Sequence, residues 1–144
     1  NQSDHQEYKT DIGEFAAPLI IYDPSGNVTP GMRRGIAQQI DIMPTVFGIL
    51  GYDRPYLSFG CDLLRTPADR TYGLNYINGV YQYTSNGYTL QFDGTKTTGL
   101  YKLTDKLMQH NLAGHVSEQA RMEEELKAII YQYMYRMVND RLKN

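Results

Sequence analysis

The stretch Tyr72-Gly-Leu-Asn-Tyr-Ile-Asn-Gly-Val-Tyr-Gln-Tyr-Thr-Ser-Asn-Gly-Tyr-Thr-Leu-Gln-Phe-Asp-Gly94 decides the fold. Apolar and polar residues alternate along it with a period of two, the spacing of a strand covered on one face. Asn78-Gly79, Asn86-Gly87 and Asp93-Gly94 interrupt the alternation with residues suited to tight hairpin turns. Four strands are expected: Tyr72–Asn78, Gly79–Thr84, Tyr88–Asp93 and Gly99–Leu103. Short connections make an antiparallel meander the natural arrangement, with Tyr81, Tyr83, Tyr88, Leu90 and Phe92 among its cross-strand contacts.

Downstream, the period changes to that of a helix. Ser117 is placed to cap it, and Leu126, Ile129, Ile130, Tyr133, Met137 and Val138 recur at three and four residues, predicting a helix to about Leu142. Glu123 to Glu125 are expected opposite that stripe, and Arg141 and Lys143 suit the C-terminal dipole.

Upstream, Ala17-Pro-Leu-Ile-Ile-Tyr22 is a short apolar run rich in β-branched residues, as expected of a strand covered on both faces. Asp23-Pro-Ser-Gly-Asn27 ends it with turn chemistry, and a loop follows to Arg34. The run from Asp41 to Gly51 reads as a short, largely buried helix: Asp41 at its cap, Pro44 in its first turn, Gly51 at a left-handed stop, and Val46, Phe47, Ile49 and Leu50 around its circumference. Tyr52 to Arg70, broken by three residues of Pro or Gly, reads as loop.

The whole has 144 residues, enough for one compact domain. Fourteen basic and sixteen acidic residues leave a formal charge of -2 with no basic patch, so nucleic acid is not an expected partner. A single cysteine, Cys61, permits no internal disulfide. No apolar run approaches the length of a membrane span. Thirteen Tyr beside four Phe and no Trp point to a sheet with a partly wet face, or to a partner surface.

Residues with chemical potential are sparse. Asp4-His5 pairs two metal-ligand types, with Glu7 and Asp11 near in sequence, but a metal site needs three or four convergent groups. Read alone, the pair is either a partial metal site or a solvated polar loop. His110 and His115 flank Gly114 in loop-like sequence. A nucleophilic thiol needs a base or a positive field to lower its pKa, and nothing in the sequence locates one beside Cys61. No phosphate-cradling glycine loop, serine-hydrolase elbow or paired-cysteine zinc pattern is present.

Ala17-Pro-Leu-Ile-Ile-Tyr-Asp-Pro, followed by Gly35-Ile-Ala-Gln-Gln-Ile-Asp-Ile-Met-Pro-Thr-Val-Phe-Gly-Ile-Leu-Gly-Tyr52, resembles the C-terminal part of the sulfatase-like enzymes of the alkaline phosphatase superfamily. The branch it looks most like is that of lipoteichoic acid synthase and phosphoglycerol transferase; Tyr52-Asp-Arg-Pro-Tyr56 and Phe59-Gly-Cys-Asp-Leu-Leu64 are similar to the passage that follows there.

The resemblance implies an α+β chain. Residues 1–70 form the C-terminal portion of an alkaline-phosphatase-like α/β core, and residues 71–144 an antiparallel sheet plus C-terminal helix, in one compact unit with the first part. It implies a metal-dependent hydrolase or transferase acting on phosphate or sulfate esters, membrane-anchored through a segment upstream, with its catalytic domain outside the cytoplasm. The whole enzyme is expected to use a divalent ion (Mn, Mg, Ca or Zn); the chain itself, a soluble fragment, is expected to hold none.

In that family an Asp-His pair at the end of a core strand ligates the metal. Asp4-His5 matches the residue types, but only Asn1, Gln2 and Ser3 precede it and its distance to Pro18 is shorter than the family pattern. The resemblance therefore places the metal pair upstream of Asn1 and Asp4-His5 in the loop after it. Cys61 does not match the sulfatase nucleophile pattern, since Leu63 stands at its proline position. The expected partners are the remainder of the catalytic domain and, in its absence, a second copy meeting an exposed sheet edge near Leu19–Tyr22. The competing expectation is a non-catalytic module whose Tyr-rich sheet binds a partner protein or polysaccharide.

Overall fold

The structure, a computed structural model, describes residues 4–143. It is an α+β arrangement built on a four-stranded antiparallel sheet, β1 Gly73–Ile77, β2 Val80–Ser85, β3 Tyr88–Phe92 and β4 Thr97–Lys102, in the order β1-β2-β3-β4. Asn78 and Gly79, and again Asn86 and Gly87, all take positive φ, the conformation of hairpin turns whose twist matches that of the strands. At the third turn the Asp93 carboxylate accepts the backbone N–H groups of Thr95 and Lys96, which holds its pKa below the usual range.

The pairing fixes which residues share a face. Tyr83 lies between Leu74 and Leu90, and Leu90 lies opposite Leu100. Helix α1, Ile42–Leu50, precedes the sheet, and α2, Glu118–Val138, packs across it. The core is Tyr83, Leu90, Phe92 and Leu100 from the sheet with Met122 and Leu126 from α2. Two of the expected opposing charges are drawn into this contact. Glu125 accepts the Tyr83 hydroxyl at 3.0 Å and Glu123 accepts Thr97 Oγ1 at 2.7 Å, so they line the packed side rather than facing away from it.

Each edge of the sheet is met at one residue by a neighbouring segment. Gln38 Oε1 accepts the outward N–H of Leu74 on β1. On β4, Leu100 O accepts from Leu112 N and Leu100 N donates to Asn111 Oδ1. An edge interrupted at one residue offers a shorter ladder to a further strand.

The main departure from the sequence expectation lies upstream of the sheet. Ala17–Tyr22 forms no strand: it runs irregularly, and Leu19, Ile20, Ile21 and Tyr22 are all exposed, the last to 86%. An extended segment becomes a strand only when its backbone groups find a partner, and the described residues supply none. Helix α1 departs in the same direction. It forms where expected, but only Pro44 and Thr45 are buried, and Ile42, Met43, Val46 and Leu50 face outward.

Gly51 ends α1 in the left-handed conformation, its N–H bonded to Gly48 O, while Tyr52 N–H reaches Phe47 O and the Tyr52 ring stacks on Phe47 at 4.5 Å. α2 stops at Val138, short of Leu142; Ile129 and Ile130 pack on the core, whereas Tyr133, Met137 and Val138, expected in the same stripe, are exposed because the helix outruns the sheet. Neither Asp41 nor Ser117 caps its helix through its side chain; the Ser117 hydroxyl instead donates to Glu118.

Residues before and after position 70 are tied together. Thr71 Oγ1 accepts Ile36 N–H, the Tyr72 hydroxyl donates to Phe59 O, Glu7 pairs with Lys106 at 3.1 Å, and Gln91 Nε2 donates to Asp11.

Candidate functional site

Asp4 and His5 stand on the surface, His5 at the start of a short 3-10 turn, Gln6–Lys9. Glu7 and Asp11 are not added to them: the first is paired with Lys106, and the second receives Gln91. Among the described residues no three His, Cys, Asp or Glu side chains converge as metal ligands. Asp4 and His5 by themselves fall short of the three or four ligands a metal centre needs. His110 Nδ1 lies 3.4 Å from Asp105, whose carboxylate also accepts the His110 and Gln109 backbone N–H groups and is held below its usual pKa by them. That is a loop tie, not a proton relay, since nothing further lies in line with it.

The most constrained polar cluster is around Asp41. Its carboxylate is buried, one oxygen accepting Gln38 N–H at 2.9 Å and the other Cys61 N–H at 2.8 Å. Thr45 Oγ1 donates to Asp41 O and accepts Leu63 N–H, so the first turn of α1 holds the 58–65 loop at two points. Gly60 makes the approach possible: a Cβ there would lie 2.2 Å from Ile40 O. Gly48 acts similarly, leaving room for Asp62, whose partner Arg65 donates to Gly48 O.

Nothing in this cluster is primed as a nucleophile or base. Burial, and then the negative charge of Asp41, push the Cys61 thiol pKa up, the opposite of activation. The Tyr72 phenol is raised to about 12 by burial first and Asp41 second. The Asp41 carboxylate accepts two backbone N–H groups from separate segments, which makes it a fastener.

What this fastener presents is an apolar surface. Leu19 and Ile21 lie half covered along a groove of about 690 Å³, whose far wall includes Met32, Leu63 and Leu64, while Ile20 and Tyr22 project to solvent. Asp23 closes the segment by accepting Ser25, Asn27 and Val28 N–H groups. The outward residues of α1 extend the same character. The exposure near Leu19–Tyr22 is expected from the resemblance; what the residues alone do not reveal is that the run forms no strand and that α1 is largely uncovered, because a run of Leu and Ile carries no sign of whether its neighbours lie in the same chain.

The tyrosines behave differently from a stacking platform. Tyr83 is buried, and Tyr72, Tyr81 and Tyr88 pack against the core; Tyr76, 62% exposed, stands at the β1 margin. No family model, curated protein or solved structure matches this chain.

Proposed function

We propose that this chain is the C-terminal part of a metal-dependent, sulfatase-like enzyme of the lipoteichoic acid synthase and phosphoglycerol transferase kind, which hydrolyses or transfers phosphate or sulfate ester groups. In this reading the nucleophile and the divalent metal ligands belong to the rest of the catalytic domain, held outside the cytoplasm by a membrane anchor elsewhere in the protein. Leu19–Tyr22 is the strand that joins that domain's sheet, and α1 covers the sheet beside it.

The observation that carries the reading is the unpaired apolar ribbon. Four consecutive large side chains, with no ladder partner among the described residues, stand exposed, and so does much of a helix that is apolar around most of its surface. Covering side chains of this size is worth about 2 kcal/mol each, a gain that a sheet neighbour would collect together with the ladder hydrogen bonds. Asp41, Thr45 and Gly60 fit the reading as scaffold: they fix α1 and its following loop rigidly enough to present that surface. The sequence resemblance runs over these same residues.

The test compares the complete protein with the 144-residue chain. The complete protein should turn over glycerophosphoryl or sulfate esters with Mn, Mg, Ca or Zn and lose that activity on chelation, while the chain alone shows none with any of these ions. Turnover by the chain alone that disappears in His5→Ala would overturn the proposal and return Asp4-His5 to the metal.

A further inference from the structure

We infer that the outer face of α2 is a dimer seam, at which a second copy of this chain packs with its α2 running antiparallel. On the inner face, Met122, Leu126, Ile129 and Ile130 meet the sheet. A second row, Glu124, Ala128, Tyr131, Tyr135 and Val138, follows steps of four, three, four and three residues on the opposite side, and every member is exposed. This is the alternation of a two-helix seam. Tyr131 is 65% and Val138 78% exposed, and the Tyr131 and Tyr135 rings stack 6.1 Å apart, with Arg141 held at the Tyr135 ring and donating to its hydroxyl. A helix apolar on two faces needs two covers, and the sheet supplies one.

Charge selects the second cover. Glu118, Glu123, Glu124 and Glu125 outweigh Arg121 and Lys127 in the first half of α2, and Arg136, Arg141 and Lys143 outweigh Asp140, which pairs with Lys143, in or just beyond its last turn. Two such helices set antiparallel place the acidic half of each against the basic end of the other, and two set parallel place like charge on like. An anionic lipid surface would meet the acidic half unfavourably. With the two-fold axis between Tyr131 and Tyr135, Ala128 faces Val138 of the second copy, Tyr131 faces Tyr135, and Glu124 reaches the end that carries Arg141. Glu124 has no ion pair within its own chain among the described residues, whereas Glu123 and Glu125 are taken by Lys127 and Arg121.

The inference is independent of what covers Leu19–Tyr22, and the experiment keeps the two apart. In a Cys61→Ser background, Tyr131→Cys chains mixed with Tyr135→Cys chains should form a disulfide dimer under mild oxidation, while either alone should form little. Sedimentation should show Glu124→Lys weakening dimerisation about tenfold, with Arg141→Glu in the same chain restoring it. Ile20→Asp should leave the helix crosslink unchanged. A monomer at every concentration overturns the inference, as does a crosslink strongest in Tyr131→Cys alone, or a dimer that Ile20→Asp abolishes and Tyr131→Asp does not.

Discussion

Asp41 illustrates how one residue can be read correctly for place and wrongly for partner. Its position before an apolar run marked the helix start, and α1 does begin there. The carboxylate, however, serves Gln38 and Cys61, the second of them twenty positions away, and no local pattern announces a partner that distant. Asp41→Ala would leave two N–H groups without an acceptor in a buried place, so it should cost about 3 kcal/mol of stability, read as a lower urea midpoint. Asp41→Asn, which keeps one acceptor oxygen, should cost about half as much.

Tyr83 and Tyr72 set the alkaline limit. Burial first, with the Glu125 carboxylate second, pushes the Tyr83 phenol well above its ordinary value, and Tyr72 rises to about 12. Below pH 10 both folded and unfolded chains keep these protons, and stability does not depend on them. Between pH 10 and 12 the unfolded chain loses protons that the folded chain retains, so stability falls as pH rises. Urea midpoints measured across that range should decline, and Tyr83→Phe should flatten the decline. A midpoint indifferent to pH up to 12 would contradict the buried placement of both rings.

Among the elements, the meander was legible because its information is local. Alternation set the faces, and Asn-Gly pairs set the turns, since positive φ at both positions is tolerated there and few other pairs supply it. α2 was legible for the same reason, except that one periodic stripe was noticed where two exist. The difference between the stripes should appear in stability. Leu126→Ala, at a fully buried site, should cost about 3 kcal/mol in urea unfolding, whereas Tyr131→Ala should change the stability of the monomer by less than about 0.5 kcal/mol. Ala17–Tyr22 was the opposite case. Its composition is that of a buried strand, but strand formation depends on a partner, and the run pairs with neither edge of the sheet among the described residues.

At the scale of the whole molecule, two kinds of surface remain open. The sheet and α2 form a core of their own, while the 17–22 ribbon and α1 present apolar side chains to solvent. Apolar exposure of this extent leads to association. The chain by itself should therefore self-associate with rising concentration by light scattering, and Ile20→Asp with Tyr22→Asp should reduce the association without lowering thermal stability. Catalytic residues were not legible in the sequence, and the structure brings none together among the described residues. In the proposed reading the exposed ribbon is a docking surface, and the chemistry lies with the rest of the enzyme.

The central claim is that Leu19–Tyr22 is a strand waiting for a sheet, and backbone hydrogen exchange tests it directly. In the 144-residue chain the amides of Leu19, Ile20, Ile21 and Tyr22 should exchange at nearly unprotected rates, whereas in the complete protein they should slow to the level of β3. Rapid exchange of the same four amides in the complete protein would contradict the account.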